Sequence, residues 1–178
     1  MRDGLDRFEA ERRRVLEEGQ RRRREVPADF YAPWKPWVQF LRSTRNRAAA
    51  RLLHEIKAFP SAGDACLEVG YGSLGWLGEL ICWGLREADL HGIELDSERA
   101  ERARAALPAA DLRIGDATNL PWPAETFRLV VVSTVFTSIR PPLGRRSRGS
   151  VANTAGVLPD SGCVGSSVET YSTVTCVP

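Results

Sequence analysis

The stretch Cys66-Leu67-Glu68-Val69-Gly70-Tyr71-Gly72-Ser73-Leu74-Gly75-Trp76-Leu77 constrains the fold more than any other part of the chain. It starts as a short apolar run, breaks into glycines, and resumes as an apolar pattern at helical spacing through Leu77, Leu80, Ile81 and Leu85. That order predicts a strand, a tight glycine loop and a helix. Gly70 and Gly72 can take backbone angles that a side chain forbids, and they let a ligand approach the main chain closely. The helix that follows turns its free N–H groups and positive dipole end toward whatever lies over the loop. In open α/β sheets this is where nucleotide-like cofactors bind. A lone Gly-x-Gly-x-x-Gly also occurs by chance, as a strand-to-helix turn that binds nothing.

The residues that follow repeat the alternation of strand and helix. Residues 90–96 read as a second strand, and residues 97–107 as a helix with Ser97 as its cap and acids in the first turn. Residues 111–115 read as a third strand, and residues 116–123 as a loop. Residues 127–133 read as a fourth strand, whose continuous apolar run over 129–132 is expected of a strand buried on both faces. Strand, helix, strand, helix, strand argues an open parallel sheet with right-handed crossovers, a Rossmann-like α/β fold with helices on both faces.

Ahead of the glycine loop, residues 4–24 are dense in Arg and Glu and predict a charged helix held by pairs three or four apart. The run Arg21-Arg22-Arg23-Arg24 is balanced by Glu17, Glu18 and Glu25, as on a solvated helix end. Pro27 closes the segment. An aromatic and proline-rich stretch follows, from Asp29 through Phe30, Tyr31, Trp34 and Trp37, suited either to packing or to capping a ligand site. Ser43 or Thr44 offers an N-cap for a helix through Ala48, Leu52, Leu53, Ile56 and Phe59. Residues 60–64 are a turn. The expected organisation is an N-terminal helical segment over 1–60, a cofactor-binding domain over 61–139, and an irregular tail over 140–178.

Composition excludes several classes. The formal net charge of +2 makes no case for nucleic acid or an anionic membrane as partner. No uncharged apolar run is long enough to span a bilayer, and the charged residues 1–7 do not resemble a secretory leader. A cytoplasmic location is the default expectation. Cys66, Cys82, Cys163 and Cys176 have the spacing of neither a zinc site nor a redox pair, so no metal is expected. Cys66 and Cys82 read as small core residues.

Three acids, Glu68, Glu94 and Asp116, fall at strand ends or in the loops after them. In dinucleotide folds a carboxylate about 20 residues beyond the glycines takes the ribose hydroxyls. A carboxylate suits this because it accepts from two vicinal hydroxyls at once. Glu94 therefore fits either a nicotinamide or an adenosyl cofactor. Glu68, two residues before the first glycine, and Asp116, opening the loop after the third strand, speak against the nicotinamide cofactor of an oxidoreductase.

Four motifs in order now carry a resemblance. They are Leu67-Glu68-Val69-Gly70-Tyr71-Gly72, Gly92-Ile93-Glu94-Leu95, Gly115-Asp116-Ala117, and Leu120-Pro121-Trp122-Pro123-Ala124-Glu125-Thr126-Phe127-Arg128-Leu129-Val130. Over about residues 64–139 the chain resembles class I S-adenosylmethionine-dependent methyltransferases, in their small-molecule, type 11 flavour. The resemblance implies that Gly70, Tyr71, Gly72 and Ser73 lie under the methionine part of S-adenosylmethionine. Glu68 would hold the loop or the cofactor's amino group. Glu94 would bind the ribose hydroxyls and Leu95 would pack on the adenine. Asp116 would accept from the adenine amino group beside the Ala117 backbone. Ser133 and Thr134 would border the sulfonium and a small-molecule acceptor. Neither His54 nor His91 falls at an acceptor position, so no catalytic base is named. Arg128 stands where the family has Asp, at a strand start expected to be exposed.

Past Ile139 the pattern changes. The family continues with a helix, a Pro-Gly-Gly loop and three more strands, whereas this chain enters a Ser, Thr, Gly and Val-rich tail. The expectation is an incomplete domain of four strands, truncated or frameshifted after about residue 139. The fourth strand would then be an open edge and the tail disordered, with residues 166–174 at most a weak strand. Translating the coding DNA in the other two frames past Ile139 tests this; if neither yields the missing helix and loop, the idea falls. A chain so built is an enzyme by descent, or a non-catalytic remnant that binds cofactor or a partner.

Overall fold

The computed structural model describes residues 2–72, 74–133, 135 and 172–176. The chain divides into two compact units, and among these residues the division falls between Phe59 and Pro60.

The first unit holds two helices, α1 (Arg2–Glu25) and α2 (Pro36–Glu55). Ion pairs one turn apart run along α1: Arg14 with Glu11 at 2.6 Å, and Arg21 with Glu18 at 2.7 Å and Glu25 at 2.6 Å. Such exposed pairs contribute about 0.3–0.5 kcal/mol each, so they support the helix without fixing its place. Arg21, the first residue of the arginine run, is thus tied to the acids of its own helix. α2 starts well before the Ser43 or Thr44 cap read from the sequence. Lys35 is its N-cap and Pro36 occupies the first helical position, where a missing N–H costs nothing and φ is already helical. α2 buries Val38, Ala49 and Leu53. It ends in a left-handed residue, Lys57, with Ala58 N–H bonded to Leu53 C=O at 2.8 Å.

The second unit is a five-stranded sheet. Its elements are β1 (Cys66–Val69), α3 (Gly75–Cys82), a single 3-10 turn (Glu87–Asp89), β2 (Leu90–Glu94), α4 (Ser97–Ala106), β3 (Asp111–Ile114), β4 (Leu129–Ser133) and β5 (Ser172–Cys176). The strand order is β3-β2-β1-β4-β5. The first four are parallel, with Leu67 opposite both His91 and Val130, so the Rossmann-like parallel sheet expected from the sequence is present. β1 is buried at all four positions, as a central strand must be.

Two faces follow from the alternation of side chains. Leu67, Val69 and Ile93 share one face and cluster with Phe127, with Trp122 and Val135 packed against them. The other face carries Cys66, Glu68, Gly92 and Glu94. α3 and α4 connect strands laid down successively in one direction, so right-handed crossovers place both helices on a common face. α4 packs on β2 and β3.

Several expectations need correction. The apolar pattern reached Leu85, but α3 stops at Cys82. Gly84, at φ 100°, turns the chain, and Leu85 N–H closes the end on Leu80 C=O at 3.1 Å. The cap of α4 is Asp96, whose carboxylate accepts from Arg99 N–H at 3.2 Å, and Ser97 is the first helical residue. Cys82 is exposed because it falls in the last turn of α3, away from the buried Trp76, Leu77 and Leu80. Arg128 is half-buried, since its N–H bonds Ala65 C=O at 2.8 Å beside β1.

The largest correction concerns the sheet edge. β4 is not open: β5 pairs with it antiparallel, from Leu129 opposite Cys176 to Ser133 opposite Ser172. An apolar strand leaves a row of unpaired N–H and C=O groups, and the Thr and Val of residues 172–176 have the β-propensity to satisfy it. This segment of the tail is therefore a strand. The rest of the tail, residues 140–171 and 177–178, lies outside the described residues.

Candidate functional site

The C-terminal ends of β1, β2 and β3 lie side by side, and the loops leaving them are tied together by the main chain. Gly70 N–H bonds Ile93 C=O at 2.8 Å, and Gly115 N–H bonds Glu94 C=O at 2.9 Å. The loop after β1 is thereby anchored on β2, and the loop after β3 on β2 from the other side.

The glycine loop alternates into the left-handed region: Gly70 has φ 70°, Gly72 φ 55° and Leu74 φ 67°. Gly70 is required twice over. Its φ excludes most side chains, and a Cβ built on it would lie 2.5 Å from Val135 Cγ2. Leu74 adopts the same region with a side chain, at a cost of about 1–2 kcal/mol. It stands as the N-cap of α3 without a side-chain cap bond.

That missing cap is supplied from β1. Glu68 Oε2 accepts from the N–H groups of Trp76 and Leu77, both at 2.9 Å. Glu68 is 2% exposed, so its charge is balanced by these donors and the helix dipole instead of by water. A Cβ on Gly75 would sit 2.8 Å from Glu68 Oε1, which explains the third glycine of the run. Of the two uses read for Glu68, holding the loop is the one these bonds perform.

Glu94 is the residue that joins the elements. Its Oε2 accepts from Gly72 N–H at 2.8 Å and its Oε1 from Asp96 N–H at 3.0 Å. It is 7% exposed. Each carboxylate oxygen has a second acceptor site, so a fixed pair of acceptors remains beside the glycine loop. Asp96 and Arg99, neither singled out in the sequence, complete this corner. An Nη1 of Arg99 lies 3.8 Å from where a Cβ on Gly72 would be, placing a guanidinium against the loop. A cap could equally have been read at Asp96 or Ser97; nothing in the local sequence breaks that tie.

The remaining predicted positions separate. Leu95 is half-buried directly after β2. Asp116 is half-buried after β3 and accepts from Thr118 N–H at 2.8 Å, which folds the loop into a turn, while Ala117 is exposed. Ser133 ends β4. Tyr71 is not on the loop surface: it is 1% exposed, with its ring on Gly92. Burial pushes its hydroxyl up to about 12. Ser73 and Thr134 lie outside the described residues.

His91 is remote from this corner. Its ring meets Phe127 edge-on with centroids 5.0 Å apart, in a cluster where Trp122 Nε1 donates to Asp111 at 2.8 Å and Arg113 lies 4.6 Å over the Trp122 ring. The Arg113 guanidinium holds the Asp111 carboxyl below its usual range. These contacts fix the loop between β3 and β4 and supply no reacting group. Among the described residues no His, Cys, Asp and Glu cluster is arranged to hold a metal, and no helix is long and apolar enough to cross a membrane.

Compared with known families, residues 67–162 match the family described as a methyltransferase domain. The match runs on past Ile139, where the composition changes. No curated protein matches the chain. Among solved structures it is similar to a SAM-dependent methyltransferase from Methanosarcina mazei, with 16% identity, a TM-score of 0.36, and 44% of this chain and 56% of that chain covered. It is similar also to the YcgJ protein of Bacillus subtilis, with 15% identity, a TM-score of 0.36, and 48% and 50% covered. A third is coclaurine N-methyltransferase bound to N-methylheliamine and SAH, with 13% identity, a TM-score of 0.37, and 71% and 51% covered. The chain thus spans about half the length of each of these three, at 56%, 50% and 51%.

Proposed function

Because the chain belongs to the methyltransferase-domain family, we propose that its glycine-loop corner binds S-adenosylmethionine and serves methyl transfer to a small-molecule acceptor in the cytoplasm. The observation that carries this reading is the Glu94 carboxylate, buried, oriented by two backbone N–H groups, and beside the left-handed Gly70 and Gly72. Those features fit the group. The free acceptor sites on Glu94 suit paired ribose hydroxyls, and the main chain at Gly72, where the nearest atom to an added Cβ is Arg99 Nη1 at 3.8 Å, leaves room for a ligand. Leu95 offers an apolar contact to the adenine. Asp116 keeps one oxygen outside its turn bond for the adenine amino group, beside the Ala117 backbone. Ser133 would border the acceptor side. Glu68 supports all of this from beneath by fixing the start of α3.

S-adenosylmethionine supplies a methyl group already activated on a sulfonium. What the chain contributes is alignment of an acceptor with that carbon–sulfur bond. A cofactor-binding domain without turnover is the second reading, and a match to about half the length of these solved relatives is compatible with it.

Calorimetric titration of the full chain with S-adenosylmethionine and, in parallel, NAD tests the proposal. Micromolar binding of the first alone is the expected result. Binding without methyl release to any small-molecule acceptor supports the second reading. A folded chain that binds neither ligand, or binds NAD, overturns both.

A further inference from the structure

Charge is distributed unevenly along the chain. Between Asp29 and Glu55 stand Lys35, Arg42, Arg45, Arg47 and Arg51, five of the 25 basic residues, and none of the 23 acidic ones. The chain-wide charge of +2 averages this away, which is why composition alone points to no membrane. At the two ends the charge is offset, Lys35 by Asp29 at 2.9 Å and Arg51 by Glu55 at 2.8 Å. In the middle, Arg47 Nε bonds the neutral Ser43 C=O at 3.3 Å.

The same segment exposes large apolar side chains. Trp34 is 70% exposed, Tyr31 67% and Phe40 65%. Trp37, Phe40 and Leu41 are spaced as one face of α2, and Arg47 and Arg51 continue that face. The buried Val38, Ala49 and Leu53 lie on the opposite side of the helix. Phe30, Tyr31 and Trp37 pack on one another edge-on or tilted, with centroids 4.9 to 5.8 Å apart.

We propose that this face of α2, with the preceding aromatic turn, docks peripherally on an anionic lipid surface. Trp and Tyr favour the bilayer interface because their rings are apolar and their polar tips wet. Phe40 and Leu41 would enter the acyl boundary, while Arg47 and Arg51 on the same face meet the headgroup charge. Two other occupants fit less well. A second copy of this face would bring its own arginines against these. Single-stranded nucleic acid stacks its bases on successive ring faces along a basic groove, whereas this face sets the aliphatic Leu41 among its rings, and Phe30, Tyr31 and Trp37 turn toward one another.

The test is co-sedimentation of the full chain with vesicles of phosphatidylcholine alone and with added phosphatidylglycerol. Binding to the anionic vesicles should exceed binding to neutral ones by roughly tenfold and weaken with salt. The double variant Trp34→Ala, Phe40→Asp should lose that binding. Both side chains are largely exposed, so its circular dichroism should match the parent, and its S-adenosylmethionine titration should be unchanged. A second variant, Arg47→Gln with Arg51→Gln, should remove the preference for anionic lipid. Absence of vesicle binding, equal binding to both vesicles, or a double variant that binds like the parent overturns the proposal. So does binding of a single-stranded oligonucleotide, in place of vesicles, that the same substitutions abolish.

Discussion

The Glu94 carboxylate accepts a hydrogen bond from the backbone N–H of Gly72 at 2.8 Å, tying the tip of β2 to the glycine loop after β1. Its other oxygen takes Asp96 N–H, so both oxygens face donors. An amide at this position must turn its NH2 toward one of those N–H groups. Glu94→Gln should therefore behave nearly as badly as Glu94→Ala, each costing about 1–3 kcal/mol of stability and at least a tenfold loss of S-adenosylmethionine affinity. Thermal unfolding and calorimetry check this. A Gln variant that matches the parent in both would show that the two backbone bonds do not organise the corner.

Tyr71 and Gly92 form a second interlocking pair across the sheet. A Cβ on Gly92 would run into the Tyr71 ring and come within 3.0 Å of Leu112 Cδ2. Gly92→Ala should destabilise the protein by about 1–3 kcal/mol, as overpacking does. Adding Tyr71→Leu should recover part of that loss, because the ring edge that clashes is gone. Chemical denaturation of the two single variants and the double variant measures the coupling. Additive losses would contradict it.

α2 and α3 end in the same way but with different residues. Gly84 and Lys57 both sit in the left-handed position after the helix, at φ 100° and φ 57°. In α3 Gly84 N–H bonds Ile81 C=O at 2.9 Å, and in α2 Lys57 N–H bonds His54 C=O at 3.1 Å. Glycine meets no Cβ penalty there. Lys57→Gly should stabilise the chain by about 0.5–1 kcal/mol, and Gly84→Lys should destabilise it by at least as much. Melting temperatures decide; a destabilised Lys57→Gly variant would refute the shared geometry.

Asp89 anchors the turn before β2. Its Oδ2 accepts from Gly63 N–H and Arg86 N–H, both at 3.0 Å, and the Arg86 guanidinium grips both oxygens, with Nη2 at 2.6 Å from Oδ1. The guanidinium, followed by the Gly63 N–H, holds this carboxyl well below the usual carboxylate range. At acid pH the unfolded chain therefore binds a proton that the folded chain refuses. The stabilisation is complete above the ordinary Asp value of about 3.9 and is lost as pH falls below it toward the depressed folded value. Asp89→Asn should be less stable at neutral pH, with the gap to the parent narrowing below about pH 4. Melting curves of both between neutral pH and pH 3 would show it; a constant gap would not fit.

What the sequence determined was the set of local periods and breaks. The apolar run over 66–69, the glycines, and the alternating segments after them specify strand, loop and helix wherever they occur, because backbone geometry responds to near neighbours. That the first four strands run parallel followed from their alternation with helices. The placing of Glu94 at a strand tip was likewise legible. Tertiary structure alone decided where the buried groups found their partners. Of the two uses the sequence offered for Glu68, the structure shows its carboxylate capping α3, because the helix start lies over β1. Tyr71 sits among the loop residues in sequence, yet it is drawn into the core because Gly92 leaves room for its ring. Cys82 fits an apolar helix pattern but lies on the side that α3 turns to solvent. Most of all, the partner of β4 comes from residues 172–176, far along the chain. The sequence offered only a weak strand over 166–174, since the bonds that make 172–176 a strand belong to the unpaired edge it covers.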